Sequence, residues 1–403
     1  MSETLTNLII VRYGEIALKG DNRSFFINRL IKNIKNSCQD LGEFTLSKTR
    51  GRIFIHTENN PAPFIPRLQK TPGIVSFSPA IKSGLSLKEA KKPVLKLVKK
   101  ELKQKQTPLS FRVKTNRANK KFPGTSPEIS REMGAFILKN TDGLTVDLEE
   151  PELCLQLDIR KNNIFVFVKS FMGPGGLPVG SSGRGLLLLS GGIDSPAAGW
   201  LAFKRGLELE AIHFHSPPYT GERARTKVLD LCTVLAETGL EIKLHLVEFT
   251  EIQRAIKKHC DTGLLITIMR RLMYRISCHL AAKIQARVLI TGESIGQVSS
   301  QTLENISVIN STADRPVLRP LIGLNKQEII SIARDINTYD ISTRPHQDCC
   351  TLFVPDHPAT RPTEEQVSRE EKQLDISGLL NNINEKIETI LIKPDKKTTL
   401  EQK

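Results

Sequence analysis

Apolar residues recur along the first part of the chain at two spacings. Residues 8–12 are a short apolar run that predicts a strand. Over 23–37, Phe26, Leu30, Ile31 and Ile34 fall on one face at helical spacing, with Asn22 or Ser24 placed to cap the helix. A second strand is predicted at 52–57, and prolines 61, 63 and 66 end this small α+β module. Leu87, Val94, Leu95, Val98 and Leu102 then form the stripe of a helix over 86–105. A strand follows at 110–115, Ser126 and Pro127 open another helix, and short strands near 153–159 and 163–169 close the segment.

Residues 173–185 hold six glycines in thirteen positions, which predicts a flexible connection. Beyond it, Leu186 to Leu189 are four consecutive leucines, the pattern of a strand buried on both faces of a parallel sheet. Pro196 suits the first turn of a helix over 196–205. Strand 210–215, helix 267–275, strand 286–291 and a helix starting near Lys326 continue the alternation, which predicts a doubly wound parallel sheet. After about residue 362 the chain is charged and weakly patterned. Ile383, Ile387, Ile390 and Leu391 there are spaced for a helix.

Composition narrows the setting. A chain of 403 residues is long enough for two or three domains, and 39% hydrophobic with 25% charged residues is ordinary for a soluble protein. No apolar run approaches the roughly 18 residues of a membrane span. The first residues have neither the basic flank nor the apolar core of a secretory signal, so the expected location is cytoplasmic, with no membrane partner. Seven scattered cysteines do not form a disulfide framework and are expected to be thiols. The net charge of +15 is uneven: residues 1–180 hold 30 basic against 16 acidic side chains, residues 181–403 hold 28 against 27. A basic half joined to a neutral half suggests that the first grips a polyanion while the second does chemistry. The basic part includes eight lysines in helix 86–105, Arg112 and Lys114 on the following strand, and Arg117, Lys120 and Lys121 beside Phe122 in the next loop. Such charges contact phosphates without reading sequence.

Candidate chemistry centres on residues 190–195, Ser-Gly-Gly-Ile-Asp-Ser, between the leucine strand and the helix. Gly191 and Gly192 let a phosphate approach the backbone, the N–H groups opening the helix point at the anion, and Ser190 and Ser195 add hydroxyls. The loop lacks the Gly-Lys-Ser/Thr ending of a Walker A motif, which excludes the usual γ-phosphate transfer apparatus. It resembles the PP-loop of ATP pyrophosphatases, which implies that ATP is held by its pyrophosphate while a substrate oxygen takes AMP. Other features converge on strand ends, where ligands of open α/β sheets gather. His213 and Phe214 end one strand, placed to flank a base. Gly292 follows another and permits close ligand approach. Arg270 and Arg271 stud an otherwise apolar helix, and an arginine fork suits phosphate.

The order of helix, strand, basic Phe-Pro loop, helix and paired strands is similar to a THUMP domain, a tRNA-binding module. Arg-Tyr-Gly-Glu-Ile-x-Leu-Lys-Gly from Arg12, and Gly-x-Gly-Gly-Leu-Pro-Val-Gly at 173–180, resemble the tRNA sulfurtransferase (4-thiouridine synthetase) family, and the match extends to about residue 362. The resemblance implies a ferredoxin-like module at 1–65, a THUMP domain at 66–172, a Gly-rich linker at 173–185, a PP-loop domain at 186–375 and a charged tail at 376–403. It implies an ATP site made by Leu188, Leu189, Ser190, Gly191, Gly192, Asp194, Ser195, His213, Phe214, Arg270, Gly292, Gln301 and Lys326, and tRNA contacts from Arg112, Lys114, Arg117, Lys120 and Lys121. Asp194 is assigned to Mg2+ or to positioning the substrate oxygen.

The same family has its sulfur-accepting cysteine in the segment His-Gln-Asp-Cys-Cys at 346–350, where Cys350 fits the pattern better than Cys349. A thiolate can carry sulfur as a persulfide. Buried small residues, a zinc site with His346 and His357, and an iron–sulfur site are the competing readings. Adjacent cysteines match zinc spacing poorly. The resemblance implies that an iron–sulfur cluster, as in some relatives, needs a Cys-x2-Cys pair besides this cysteine, and here Cys260 is followed by Gly263. The resulting expectation is adenylation of uridine 8 of tRNA by ATP, then attack by persulfide sulfur. Another PP-loop modification of tRNA, or tRNA binding without catalysis, is the alternative. Longer family members append a rhodanese-like domain that this sequence lacks. The expected persulfide donor is therefore a cysteine desulfurase, with a sulfur-carrier protein and a dimeric state as further expectations. The family's second role, thiazole synthesis for thiamine, is in doubt for the same reason.

Overall fold

A computed structural model describes residues 8–49, 51–104, 108–238, 240–345, 358–393 and 397–399. The chain divides into two compact units, Met1–Gly175 and Gly176–Lys403.

The first unit is one nine-stranded sheet, formed by β1 (Leu8–Arg12), β2 (Phe44–Thr49), β3 (Arg52–Thr57), β4 (Ser76–Ser83), β5 (Leu109–Arg117), β6 (Leu144–Val146), β7 (Leu153–Ile159), β8 (Ile164–Phe167) and β9 (Phe171–Met172). The strand order is β2-β3-β1-β4-β8-β7-β5-β6, with β9 also on β4. Four helices, α1 (Arg23–Ser37), α2 (Phe64–Gln69), α3 (Leu87–Gln104) and α4 (Ser126–Asn140), pack on one face. The apolar stripes seen in sequence explain why. Leu30 and Ile34 of α1 meet Ile9, Val11, Ile53 and Ile55, while Val94 and Val98 of α3 and Met133 and Ile137 of α4 meet Phe111, Leu155 and Val166. Strand β4 hydrogen-bonds to β1 and to β8. It therefore continues a single sheet through the stretches expected to be ferredoxin-like and THUMP-like.

The second unit is a seven-stranded sheet of β10 (Arg184–Leu188), β11 (Glu208–His215), β12 (Ile242–Glu248), β13 (Val288–Ile290), β14 (Val317–Leu318), β15 (Ile387–Ile392) and β16 (Lys397–Thr399). The order is β14-β13-β10-β11-β12-β15-β16, parallel from β14 to β12 and antiparallel beyond. Helices α5 (Asp194–Lys204) and α6 (Glu222–Ala236) cover one face, α7 (Thr250–His259) and α8 (Leu265–Lys283) the other. They are followed by α9 (Leu303–Asn310), α10 (Lys326–Asp335), α11 (Tyr339–Ser342), α12 (Glu364–Glu371) and α13 (Ile376–Asn381). Leu186 packs on the α8 side and Leu187 on the α5 side, as a doubly buried strand requires. Strand order reverses at β10, and such a reversal opens a crevice at the carboxyl ends of the strands.

Residues 383–391 are not the helix their spacing suggested. Ile383–Lys386 is a short 3-10 turn, and Ile387–Ile392 pairs antiparallel with the edge of β12. Ile387 packs toward one face, Ile390 and Ile392 toward the other. The β12 edge, left open by the parallel strands, supplies hydrogen-bond partners that a local helical pattern does not.

Candidate active site

The loop from Ser190 to Asp194 lies at that reversal, between β10 and α5. Its geometry is set by the two serines. Ser195 Oγ accepts from the Ser190 N–H at 2.9 Å and lies 3.1 Å from Ser190 Oγ, while the Gly192 N–H donates to Ser190 Oγ at 3.3 Å. Among the described residues no side chain caps the start of α5, so the helix N-terminus keeps its positive end toward the loop. A Cβ added at Gly192 would meet only Ser190 Oγ at 3.4 Å, which leaves that backbone open to a ligand.

A cavity of about 370 Å³ opens beside the loop. It is lined by Leu188, Leu189, Ser190, Gly192, Asp194, Ser195, His213, Phe214, Arg270, Gly292 and Gln301, eleven of the residues expected at the nucleotide. The remaining two of that set are Gly191, buried within the loop, and Lys326. At the first position of α10, after an Asn325 cap, Lys326 reaches back so that its Nζ lies 2.8 Å from Asp194 Oδ1. Gln297 Nε2 donates to the other Asp194 oxygen at 2.9 Å. His213 Nδ1 is 2.8 Å from the Leu189 carbonyl and ties β11 to the entry of the loop. Phe214 meets Phe249 edge-on, with ring centroids 5.3 Å apart.

Gly292, which lines the cavity, also makes a close approach that the sequence did not suggest. A Cβ there would sit 2.6 Å from the Asp194 carbonyl carbon and 2.7 Å from the Ser195 nitrogen. The partner brought near is the backbone opening α5, so this glycine lets the strand end and the helix start meet.

Several lining residues were not singled out from sequence: Ile212, Ile266, Met273, Tyr274, Glu293 and Val298 among them. Glu293 organises one wall. Its carboxylate lies 2.6 Å from Arg270 and 2.6 Å from Arg319, and accepts from Thr291 Oγ1 at 2.9 Å and from the Tyr274 hydroxyl at 3.2 Å. Burial alone would raise the Glu293 carboxyl, but Arg270 and then Arg319 hold it below its ordinary range. Burial, helped by Glu293, pushes the Tyr274 hydroxyl up to about 12, so it stays a donor. The one signal in the sequence was position, a carboxylate directly after Gly292 at a strand end. Arg271 points elsewhere: it is buried and pairs with Glu371 at 2.8 Å and Glu364 at 2.9 Å, fastening α8 to α12.

Of the basic residues expected to meet tRNA, Lys114, Lys120 and Lys121 are exposed. Arg112 donates to the Leu148 carbonyl at 2.8 Å, and Arg117 donates to the carbonyls of Phe122, at 2.7 Å, and Gly124. Arg117 thus shapes the loop that presents the two lysines. Cys349 and Cys350, with His346 and His357, lie outside the described residues. The flanks of that segment are described. Ser342 Oγ donates to the Gly192 carbonyl at 3.3 Å, and the Ala359 carbonyl accepts from Asn305 Nδ2 at 3.0 Å. Among the described residues no helix is long and apolar enough to cross a membrane.

Comparison with known proteins gives three matched regions. Residues 8–78 match the ThiI ferredoxin-like domain, 86–169 the THUMP domain, and 180–376 the family described as thiamine biosynthesis protein (ThiI). A probable tRNA sulfurtransferase of Halothermothrix orenii is 53% identical over 393 residues, covering 96% of this chain and 99% of the relative. One of Moorella thermoacetica is 46% identical over 388 residues, covering 96% and 98%. Among solved structures, a 4-thiouridine synthetase in complex with RNA and bound ATP is 38% identical with a TM-score of 0.88, covering 96% of this chain and 100% of that one.

Proposed function

Because the chain belongs to the ThiI family of tRNA sulfurtransferases, we propose that it uses ATP to place sulfur on uridine 8 of tRNA, giving 4-thiouridine. ATP-dependent thiolation of tRNA is the activity of the family; the choice of base, the residue roles and the sulfur route are our assignment. The observation that carries it is the uncapped start of α5 beside a cavity with Arg270 in its wall, a cradle for a triphosphate with room for a base.

In this mechanism the α5 N–H groups, with the hydroxyls of Ser190 and Ser195, hold the β- and γ-phosphates. Arg270, fixed by Glu293, offers its guanidinium to the polyphosphate, and Phe214, Ile212 and Leu188 make an apolar wall for adenine. Oxygen 4 of the uracil attacks the α-phosphorus and pyrophosphate leaves, which converts a poor leaving group into AMP. One carboxylate at a phosphate loop is what Mg2+ ordinarily takes from a protein, and Asp194 fits that need. When bound, Mg2+ would neutralise charge on the departing pyrophosphate. Asp194 also holds Lys326, whose ammonium is then in place for a phosphate oxygen.

The sulfur is carried as a persulfide on Cys350, delivered by a cysteine desulfurase. Its terminal sulfur bonds to C4, AMP departs, and a second thiol then cleaves the persulfide S–S bond to form a disulfide. Cys260 is poorly suited to that last step. It is buried with its sulfur 3.7 Å from the Glu370 carbonyl, and burial, with Glu370 and Glu371, pushes its pKa up to about 11. Cys349 or an external thiol is the better candidate.

The test is a thiolation assay with tRNA, ATP and sulfide, read by mass spectrometry of nucleosides. 4-Thiouridine at position 8 with matching AMP release is expected, and Asp194→Ala should abolish both. A thiolated cytidine, or AMP release without any thiolated base, would sink the assignment. With a cysteine desulfurase replacing sulfide, Cys350→Ala should lose product while retaining tRNA-dependent AMP formation.

A further inference from the structure

The first unit's sheet has a second face, opposite the four helices, and that face carries charge that its own residues do not balance. Leu8, Ile10, Phe54, Ala80, Phe165 and Phe167 form one buried apolar strip on it. Phe54 on β3 and Phe165 on β8 stack with ring centroids 5.1 Å apart. Two strands lie between β3 and β8, and a flat sheet at ~4.8 Å per strand would hold the rings about 14 Å apart. The sheet is therefore rolled, and this face is concave.

Three arginines gather at one end of the strip. Arg12 and Arg52 occupy the cross-strand position next after Val11↔Ile53. Arg12 donates to the buried Ser78 hydroxyl at 2.9 Å, with its guanidinium carbon 4.9 Å from the Phe167 ring centroid. Arg160, just past β7, pairs at 2.9 Å with Asp158, which is 3% exposed. Burial and then the Arg52 charge bring Arg12 down to about 10 in spite of Asp158, and burial followed by Arg160 lowers Arg52. The three guanidiniums thus repel one another across a single carboxylate, leaving two positive charges in excess. Among the described residues, the Nε atoms of Arg52 and Arg160 are buried without an acceptor, and Asp158 Oδ1 is buried without a donor. An anion with several oxygens would supply acceptors and cancel charge together.

We propose that Arg12, Arg52 and Arg160 form a phosphate site for the RNA backbone, separate from the basic loop after β5. The proposal rests on the reading that this unit binds tRNA. Register supports a continuous track: Asp158↔Phe165 and Gln156↔Phe167 join β7 to β8, and Lys114↔Gln156 and Arg112↔Cys154 join β5 to β7, so Lys114 and Arg112 share the concave face with the three arginines. Arg52 is the informative position, since its guanidinium donates to the adjacent Gly51 carbonyl and pairs with no carboxylate among the described residues.

Binding of labelled tRNA to the full-length protein is measured by fluorescence anisotropy across a KCl series. Arg52→Gln should weaken binding about tenfold and lower the slope of log Kd against log salt by about one. Arg52→Lys should retain the slope. Because a like charge leaves the cluster, the thermal midpoint of Arg52→Gln should stay level or rise, and its ATP affinity should not change. Wild-type affinity and slope in Arg52→Gln, with both reduced in Lys114→Gln/Lys120→Gln, would overturn the site and leave tRNA binding by this unit standing. No binding of tRNA by the wild type would overturn both. A thermal shift by inorganic phosphate that Arg52→Gln abolishes, with unchanged tRNA affinity, would assign the site to free phosphate and overturn the RNA assignment.

Discussion

Glu293 and its neighbours concentrate the residue-scale consequences. A buried carboxylate between Arg270 and Arg319 leaves two guanidiniums uncompensated when it is neutralised. Glu293→Gln should therefore lose about 3 kcal/mol of stability and raise the Kd for ATP, measured by thermal denaturation and calorimetry. The sign with pH follows from the depressed carboxyl. Its folded-state pKa lies below the unfolded value of about 4.3, so its stabilisation is complete above that pH and is lost as the pH falls through the lower, folded value. Denaturation midpoints taken from neutral pH down into that acid range should fall less steeply in Glu293→Gln than in the wild type. Gly292→Ala places a methyl group against the backbone of Asp194 and Ser195. It should cost about 1–3 kcal/mol and weaken ATP binding through displacement of the loop, visible as a lowered thermal midpoint and reduced AMP formation.

Helix α8 shows how one element serves two purposes. Arg270 and Arg271 are adjacent in sequence, but the helical rotation between them turns one toward the cavity and the other toward α12. Arg270→Ala should reduce ATP affinity about tenfold or more, as loss of a charged hydrogen bond does, and should also lower the thermal midpoint, because it leaves the buried Glu293 carboxylate with Arg319 as its remaining cation. Arg271→Ala leaves the buried Glu371 with Arg275 as its remaining cation and should cost about 3 kcal/mol, while ATP affinity measured below the melting transition stays near wild type. If the two variants exchanged phenotypes, the orientation of α8 would be wrong. The amphipathic helices and the leucine strand were legible because burial of one stripe, or of both faces, is a local pattern. Strand β15 was not, because its conformation depends on the open edge of β12 more than a hundred residues earlier.

At the scale of the whole molecule, the excess positive charge lies almost entirely in residues 1–180. That distribution predicts that tRNA affinity falls steeply with salt. Raising monovalent salt from about 50 to 200 mM should weaken tRNA binding by at least about tenfold if several phosphates are neutralised. Binding of ATP in the second unit should change far less, because fewer counterions are released and part of its recognition is apolar. Anisotropy with tRNA and calorimetry with ATP on the same preparation separate the two. Equal salt dependence would contradict a division of labour between the units.

The sequence alone determined several amphipathic helices, the glycine and serine loop between a doubly buried strand and a helix, and the basic character of the first part. Each rests on neighbours in the chain or on composition. The family resemblance of its motifs also pointed to eleven residues that line the cavity. Only the tertiary structure decided which charges face one another. Glu293 became the anchor of Arg270, Lys326 the partner of Asp194, Arg117 a support for its own loop, and Arg271 a fastener. Joining of Arg12, Arg52 and Arg160 required the sheet to roll and bring residues separated by more than a hundred positions to one concave end. A side chain's role in electrostatics depends on its distance to other charges and its depth from water, and neither quantity is carried by spacing along the chain.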